Sequence, residues 1–325
     1  MSPSSAALLF EAEMAMAHIP VLTQELVDLL GLTPDSHVVD CTFGAGGHAA
    51  AVAKLLGNGA WLVCCDRDPI AQHYYGELEP YLACHSCFCP GNFADTLVLL
   101  GEAGFAATHV YMDLGLSSMQ VDTEERGFSY GYDAPLDMRM DPSLPLSAAD
   151  ILNEWSAQDL VQIFREYGEE RYARVIADRI VRVRAQVPFR RTSQLVDAVK
   201  QSIPAPARFG ARNPARRVFQ ALRIAVNDEL DSLRRALPAA LSLLAPGGVL
   251  AVISFHSLED RIVKRFMHRG EHPCTCPPSF PVCVCGKTPT LEAVTTRPVV
   301  PKAREIRLNP RSSSAKLRVA RKVME

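Results

Sequence analysis

Val38-Val39-Asp40-Cys41-Thr42-Phe43-Gly44-Ala45-Gly46-Gly47-His48 is the stretch whose reading decides the fold. Two β-branched residues and an acid run into a turn with three glycines, and an alanine-rich run from Ala49 to Leu56 follows. That order reads as strand, glycine turn and helix. Glycine has no side chain, so the backbone N–H groups of such a turn can approach a ligand closely. Asp66 stands 20 residues beyond Gly46, after a second apolar run from Trp61 to Cys65. A carboxylate there suits a ribose diol, because it accepts both hydroxyl protons. Together these features describe a site for a nucleoside-bearing cofactor. The turn alone does not choose which one. Gly44-x-Gly46-x-x-Ala49 satisfies the dinucleotide fingerprint, S-adenosylmethionine is the alternative, and a tight turn with no ligand is the bland reading.

The chain has 325 residues, 48% hydrophobic and 22% charged, ordinary values for one large globular domain or two. No apolar run approaches the ~20 residues that cross a bilayer. The short run from Ala6 to Phe10 meets Glu11 and Glu13 at once, with no basic residue before it. The expectation is a cytoplasmic protein with no signal peptide and no membrane partner. Net charge is −2 but uneven: Arg165–Arg235 holds 16 Lys+Arg against 8 Asp+Glu, and Lys302–Lys322 holds 8 against 1. Such asymmetry fits a polyanion met by one side; an arginine-rich solvated helix face is the alternative.

Outward from the glycine turn, Leu22, Leu26, Leu29 and Leu30 mark a helix that Pro34 stops. Asp68 and Pro69 are a cap and first position for another. Cys84, Cys87 and Cys89 lie in a strand-like segment whose alternation puts Cys87 and Cys89 on one face, which disfavours a metal there. Phe93, just past it, is placed to stack on an adenine or to fill the core. His109–Asp113 is a further strand, so Asp40, Asp66 and Asp113 all stand at strand carboxyl ends, where open α/β sheets line their ligand crevice. Gln120–Pro145 reads as a long polar loop of the kind that often forms a functional lid. Residues 148–200 read as helices with Ser147, Ser156 and Thr192 as caps. Val218–Leu244 reads as one long amphipathic helix, Val249–Ser254 as a buried strand, and Leu291–Pro298 with Lys316–Ala320 as a closing antiparallel pair. That pair suits a methyltransferase sheet better than a dehydrogenase.

Eight motifs in order carry a family resemblance: Asp40-x-Thr42-Phe43-Gly44-x-Gly46-Gly47-His48, Asp66-Arg67-Asp68-Pro69, Asp113-Leu-Gly-x-Ser117-Ser118, Glu125-Arg126-Gly127-Phe128-Ser129, Pro135-Leu136-Asp137-Met138-Arg139-Met140-Asp141, Tyr167-Gly168-Glu169-Glu170-Arg171, Phe219-Gln220-Ala221-Leu222-Arg223 and Ser254-Phe255-His256-Ser257-Leu258-Glu259-Asp260-Arg261. From about His18 to Lys322 the chain closely resembles the bacterial 16S ribosomal RNA (cytosine-N4) methyltransferases. The resemblance implies an α/β fold, a class I (Rossmann-like) methyltransferase sheet with a helical inserted domain. It implies methyl transfer from S-adenosylmethionine to the exocyclic amine of a cytidine in the decoding region of small-subunit 16S rRNA. It places cofactor contacts on Gly46, Gly47, His48, Asp66, Phe93, Asp113 and Gln120. Met119 departs from the proline the pattern leads one to expect, beside Gln120.

The expected division is a first methyltransferase part at 1–118, an inserted helical recognition domain at 119–217, and a second methyltransferase part at 218–325. The N4 amine of cytosine is a weak nucleophile that needs orientation and an acceptor for an amine proton. Asp113 is expected to position the cofactor's methionine part or the target amine, with His256 and Ser257 facing the base; a helix-capping or core histidine is the alternative for His256. The base must leave its stack to reach such a crevice, and Arg212, Arg216 and Arg217 are candidates to hold the RNA backbone. In the Cys-rich loop 274–286, Cys274, Cys276, Cys283 and Cys285 form two Cys-x-Cys pairs, which read as a structural zinc site or as reduced free thiols. Disulfides are not expected in a cytosolic chain. The rival readings are an NAD-dependent dehydrogenase and an RNA-binding assembly factor without turnover. The oligomeric state, a homodimer included, stays open.

Overall fold

The computed structural model describes residues 20–208, 213–277 and 282–324. Helices and strands follow in the order α1 (Thr23–Leu30), β1 (His37–Asp40), α2 (Gly47–Ala53), β2 (Trp61–Asp66), α3 (Pro69–Leu78), β3 (His85–Pro90), α4 (Phe93–Glu102) and β4 (Ala107–Asp113). Then come α5 (Ser118–Asp122), α6 (Ala148–Glu154), α7 (Ala157–Glu166), α8 (Ala173–Arg184), α9 (Thr192–Ser202), α10 (Ala205–Arg208), α11 (Arg216–Asn227) and α12 (Glu229–Leu243). The chain closes with β5 (Leu244–Ser254), α13 (Ser257–Glu271), β6 (Leu291–Ala293), α14 (Ala303–Leu308) and β7 (Lys316–Lys322).

The seven strands form one sheet in the order β3-β2-β1-β4-β5-β7-β6. β1 to β5 are parallel, and β7 runs antiparallel to both β5 and β6. This is the class I methyltransferase sheet. Two-residue periodicity builds it. Val38, Leu62, Cys64, Tyr111, Ala251 and Ile253 pack on one face, and Val39, Val63, Cys65, Val110, Met112, Leu250 and Val252 on the other. Strands buried on both faces are near-continuous apolar runs, the expected signature of a covered parallel sheet. Strand order reverses between β1 and β4, so their carboxyl ends, Asp40 and Asp113, flank the switch point where such sheets bind ligands.

The chain divides into two compact units, 1–115 with 231–325, and 116–230. The second is helical and has its own core, including Ile151, Leu160, Phe164, Ile176, Ile180, Phe189, Leu195 and Leu222. The single long helix expected over 218–244 is two helices, α11 and α12, because Asp228 takes a left-handed conformation with φ 49°. The segment 120–145 also differs from the expected polar loop. Phe128, Leu136, Met138 and Met140 are buried in the helical core. Ser147 and Ser156 cap α6 and α7 as expected. Thr192 does not cap α9; Arg191 holds that position, and the Thr192 hydroxyl instead donates to Tyr132 O at 2.8 Å and accepts from Ala134 N at 2.9 Å. Among the described residues no helix is long and apolar enough to cross a membrane.

Asn227 explains how the irregular segment is held. Its side chain accepts from Met140 N at 2.7 Å and donates to Met138 O at 2.7 Å and Arg223 O at 2.9 Å. It is 1% exposed, so water cannot replace these bonds. Asn227→Ala orphans buried backbone groups at a cost of about 2–4 kcal/mol. The unfolding transition of the helical unit should move to clearly lower denaturant; an unchanged midpoint would refute this role.

Candidate active site

The glycine turn is stitched together by backbone and side-chain bonds. Thr42 N donates to Asp40 Oδ1 at 2.9 Å, and Tyr111 OH donates to Asp40 Oδ2 at 2.6 Å. Burial pushes the Asp40 carboxyl up to about 7. With both oxygens engaged inside the protein, Asp40 acts as a latch under the turn. Thr42 Oγ1 accepts from Asp113 N at 2.6 Å, joining the turn to β4. Tyr111 and Thr42 were not singled out as site residues from the sequence. Tyr111 lies opposite Asp40 in the β1–β4 register, so only strand pairing reveals it.

Gly44 and Gly46 adopt φ 57° and 79°, the left-handed region that favours glycine. A Cβ on Gly46 would lie 2.7 Å from the Phe43 ring, and one on Gly47 would lie 2.3 Å from Pro20 Cγ. Both glycines therefore also answer close approaches within the protein. Asp66, at the end of β2, accepts from Gly44 N at 2.7 Å through Oδ2 and from Asp68 N at 2.9 Å through Oδ1. Each oxygen keeps a further lone pair for a hydroxyl donor. Burial raises its pKa to about 6, partly offset by the two amides.

His48 is buried on α2. Its Nε2 lies 3.0 Å from the Val21 carbonyl, which can only accept, so Nε2 carries the proton. Its Nδ1 lies 3.4 Å from Asp113 Oδ2. Burial lowers the His48 pKa to about 4. Burial, then the nearby carboxyls of Asp40 and Glu259, hold Asp113 well above the usual carboxylate range. Both shifts oppose an ion pair between the two side chains.

At the end of β5, His256 caps α13, its Nδ1 accepting from Glu259 N at 3.4 Å. Glu259 Oε2 in turn accepts from Phe255 N at 2.8 Å and His256 N at 3.2 Å. The capping alternative for His256 is thus realised. It leaves Nε2 protonated, 3.2 Å from Glu259 Oε1 but not aligned for a hydrogen bond. Among the described residues, two buried side-chain polar atoms lack a hydrogen-bond partner: Asp113 Oδ1 and His256 Nε2. They belong to the adjacent strand ends of β4 and β5. One acceptor and one donor left unpaired at neighbouring strand ends fit a polar ligand, because orphaned buried groups are costly.

The other expected residues are dispersed. Phe93 opens α4 behind the Asn92 cap and packs partly buried against the sheet core. Ser257 is exposed at the first turn of α13. Gln120 belongs to the helical unit, where its Oε1 accepts from Ser117 N at 3.1 Å in a capping box. Arg216 and Arg217 are exposed at the start of α11. Arg212 lies outside the described residues.

Sheet order and strand-end acids define a class I α/β methyltransferase. The profile of the MraW methylase family matches residues 15–323. A relative from Symbiobacterium thermophilum, named ribosomal RNA small subunit methyltransferase H, is 50% identical over 311 residues, covering 95% of this chain and 98% of its own. Proteins of the same name from Heliobacterium modesticaldum and Geobacter sulfurreducens are 46% and 47% identical, each covering 95% of this chain and 100% of its own. The chain belongs to the MraW methylase family.

Proposed function

We propose that this protein transfers a methyl group from S-adenosylmethionine to the N4 amine of a cytidine in the decoding region of 16S rRNA, in the small ribosomal subunit. The observation that carries the reading is the unpaired pair, Asp113 Oδ1 and His256 Nε2, at neighbouring strand ends beside a glycine turn closed by Asp66. The relatives' names support the rRNA substrate.

When bound, S-adenosylmethionine supplies a methyl group made electrophilic by its sulfonium. Gly46 and Gly47 shape the floor of its site, Phe93 offers an apolar face, and Asp66 has free lone pairs for ribose hydroxyls. Gln120 is a further contact implied by resemblance. Asp113 presents an acceptor for an N–H donor, which both a methionine ammonium and a cytosine amine provide. His256 Nε2 presents a donor for a base carbonyl or ring nitrogen, and Ser257 stands beside it. An oriented acceptor on the amine stabilises positive charge developing on nitrogen. His48 keeps the Asp113 carboxyl in place and can share its proton.

Equilibrium dialysis tests the cofactor half: S-adenosylmethionine binds and NAD does not. NAD binding in its place would return the dehydrogenase reading. For RNA, the helical unit works as a recognition domain, with Arg216 and Arg217, and Arg212 before them, against phosphates. Arg216→Ala with Arg217→Ala should weaken RNA binding and flatten the slope of log affinity against log salt by about 1–2, since each phosphate contact contributes roughly 0.7–0.9. An unchanged slope would remove these arginines from the interface.

A further inference from the structure

The loop between α13 and β6 carries none of the residues placed in that site, yet it gathers four thiols. Cys274, Cys276, Cys283 and Cys285 each offer a sulfur, and all four sulfurs lie within 4.8 Å of one another. We propose that these four cysteines form a closed tetrathiolate site that takes a structural zinc ion.

The distances carry the argument. Cys283 Sγ lies 3.4 Å from Cys274 Sγ, 3.9 Å from Cys276 Sγ and 3.4 Å from Cys285 Sγ. A tetrahedron of sulfurs about 2.3 Å from zinc has edges of about 3.8 Å. A disulfide needs about 2.05 Å, so none of these contacts is one. Val284 N donates to Cys276 Sγ at 3.3 Å, an arrangement that favours a thiolate. Gly286, at φ 65°, lets the chain turn just after the last ligand.

The loop also needs a staple. Thr290 N donates to Gly270 O at 2.8 Å, closing its base. Between these ends, Val282 and Val284 are 69% and 72% exposed, and no residue from Glu271 to Thr290 belongs to a hydrophobic cluster among the described residues. A segment with no core of its own gains order from a bound metal rather than from burial. Four sulfur donors select a soft or borderline ion over magnesium or calcium. With all four positions filled by protein, the ion has no open position for chemistry. A rival donor set, His268, Glu271 and His272, stands at the end of α13.

Metal analysis of untagged full-length protein, purified under reducing conditions, should find about one zinc per chain, released by mercurial titration of the thiols. Cys276→Ser with Cys283→Ser should reduce zinc at least about tenfold with the circular dichroism spectrum unchanged. His268→Ala with His272→Ala should keep it. Should the cysteine variant not fold, cobalt exchanged into the wild type must show sulfur-to-cobalt charge transfer. Zinc near zero after growth with added zinc, iron in its place, zinc lost only in the histidine variant, or cobalt without a thiolate signature would each overturn the assignment.

Discussion

Asp113→Ala should lower methyl transfer by about 10²–10³-fold, the size expected when one group aimed at developing charge is removed, and should leave the protein folded. The carboxyl lies 3.4 Å from His48 Nδ1, and its pKa is raised by desolvation and by its acidic neighbours. Its burial costs stability, so its loss does not unfold the sheet. The pH dependence has a definite sign. An acid whose folded pKa is raised binds its proton more tightly folded than unfolded, so its contribution falls as pH rises above the unfolded value of about 3.9. Asp113→Asn lacks this loss. Its stability relative to wild type should therefore increase between pH 4 and pH 8, followed by thermal unfolding across that range. A variant that keeps wild-type turnover, or whose relative stability declines with pH, would contradict the placement of Asp113.

Asp66→Ala should weaken S-adenosylmethionine binding by about two to four orders of magnitude. Two hydrogen bonds to a charged acceptor contribute roughly 1.5–3 kcal/mol each, and Gly44 N and Asp68 N lose their acceptor as well. Wild-type affinity carries a titration of its own. Burial raises the Asp66 pKa to about 6. Above that value the ionised carboxylate accepts from both hydroxyls; below it one acceptor becomes a donor. Affinity should fall as pH drops through about 6, and Asp66→Asn should be weak and flat over the same range. Calorimetry at pH 5.5 and 7.5 reads both; a wild type as flat as the asparagine variant would remove Asp66 from the diol.

The central sheet was legible because its strands are apolar on both faces and three of them end on an acid. That pattern is local, and so are the caps at Asp68, Ser147 and Ser156. What escaped depends on tertiary structure. The amphipathic pattern runs unbroken from Val218 to Leu244, so nothing local announces the left-handed Asp228 that splits the helix. Phe128, Leu136, Met138 and Met140 share no period, and the backbone at Met138 and Met140 is held by the Asn227 side chain, 87 to 89 residues away. At the site, Asp66 and Asp113 stood out by position. That Asp40 turns inward to Tyr111 while Asp113 keeps an unpaired oxygen is a matter of register between β1 and β4.

The most direct test of the proposed activity is methyl transfer from labelled S-adenosylmethionine to small ribosomal subunits lacking the modification, followed by nucleoside analysis. The account predicts label in N4-methylcytidine from 16S rRNA, lost with Asp113→Ala. Label in another nucleoside, or none despite retained cofactor binding, would contradict it, the latter in favour of an assembly factor without turnover.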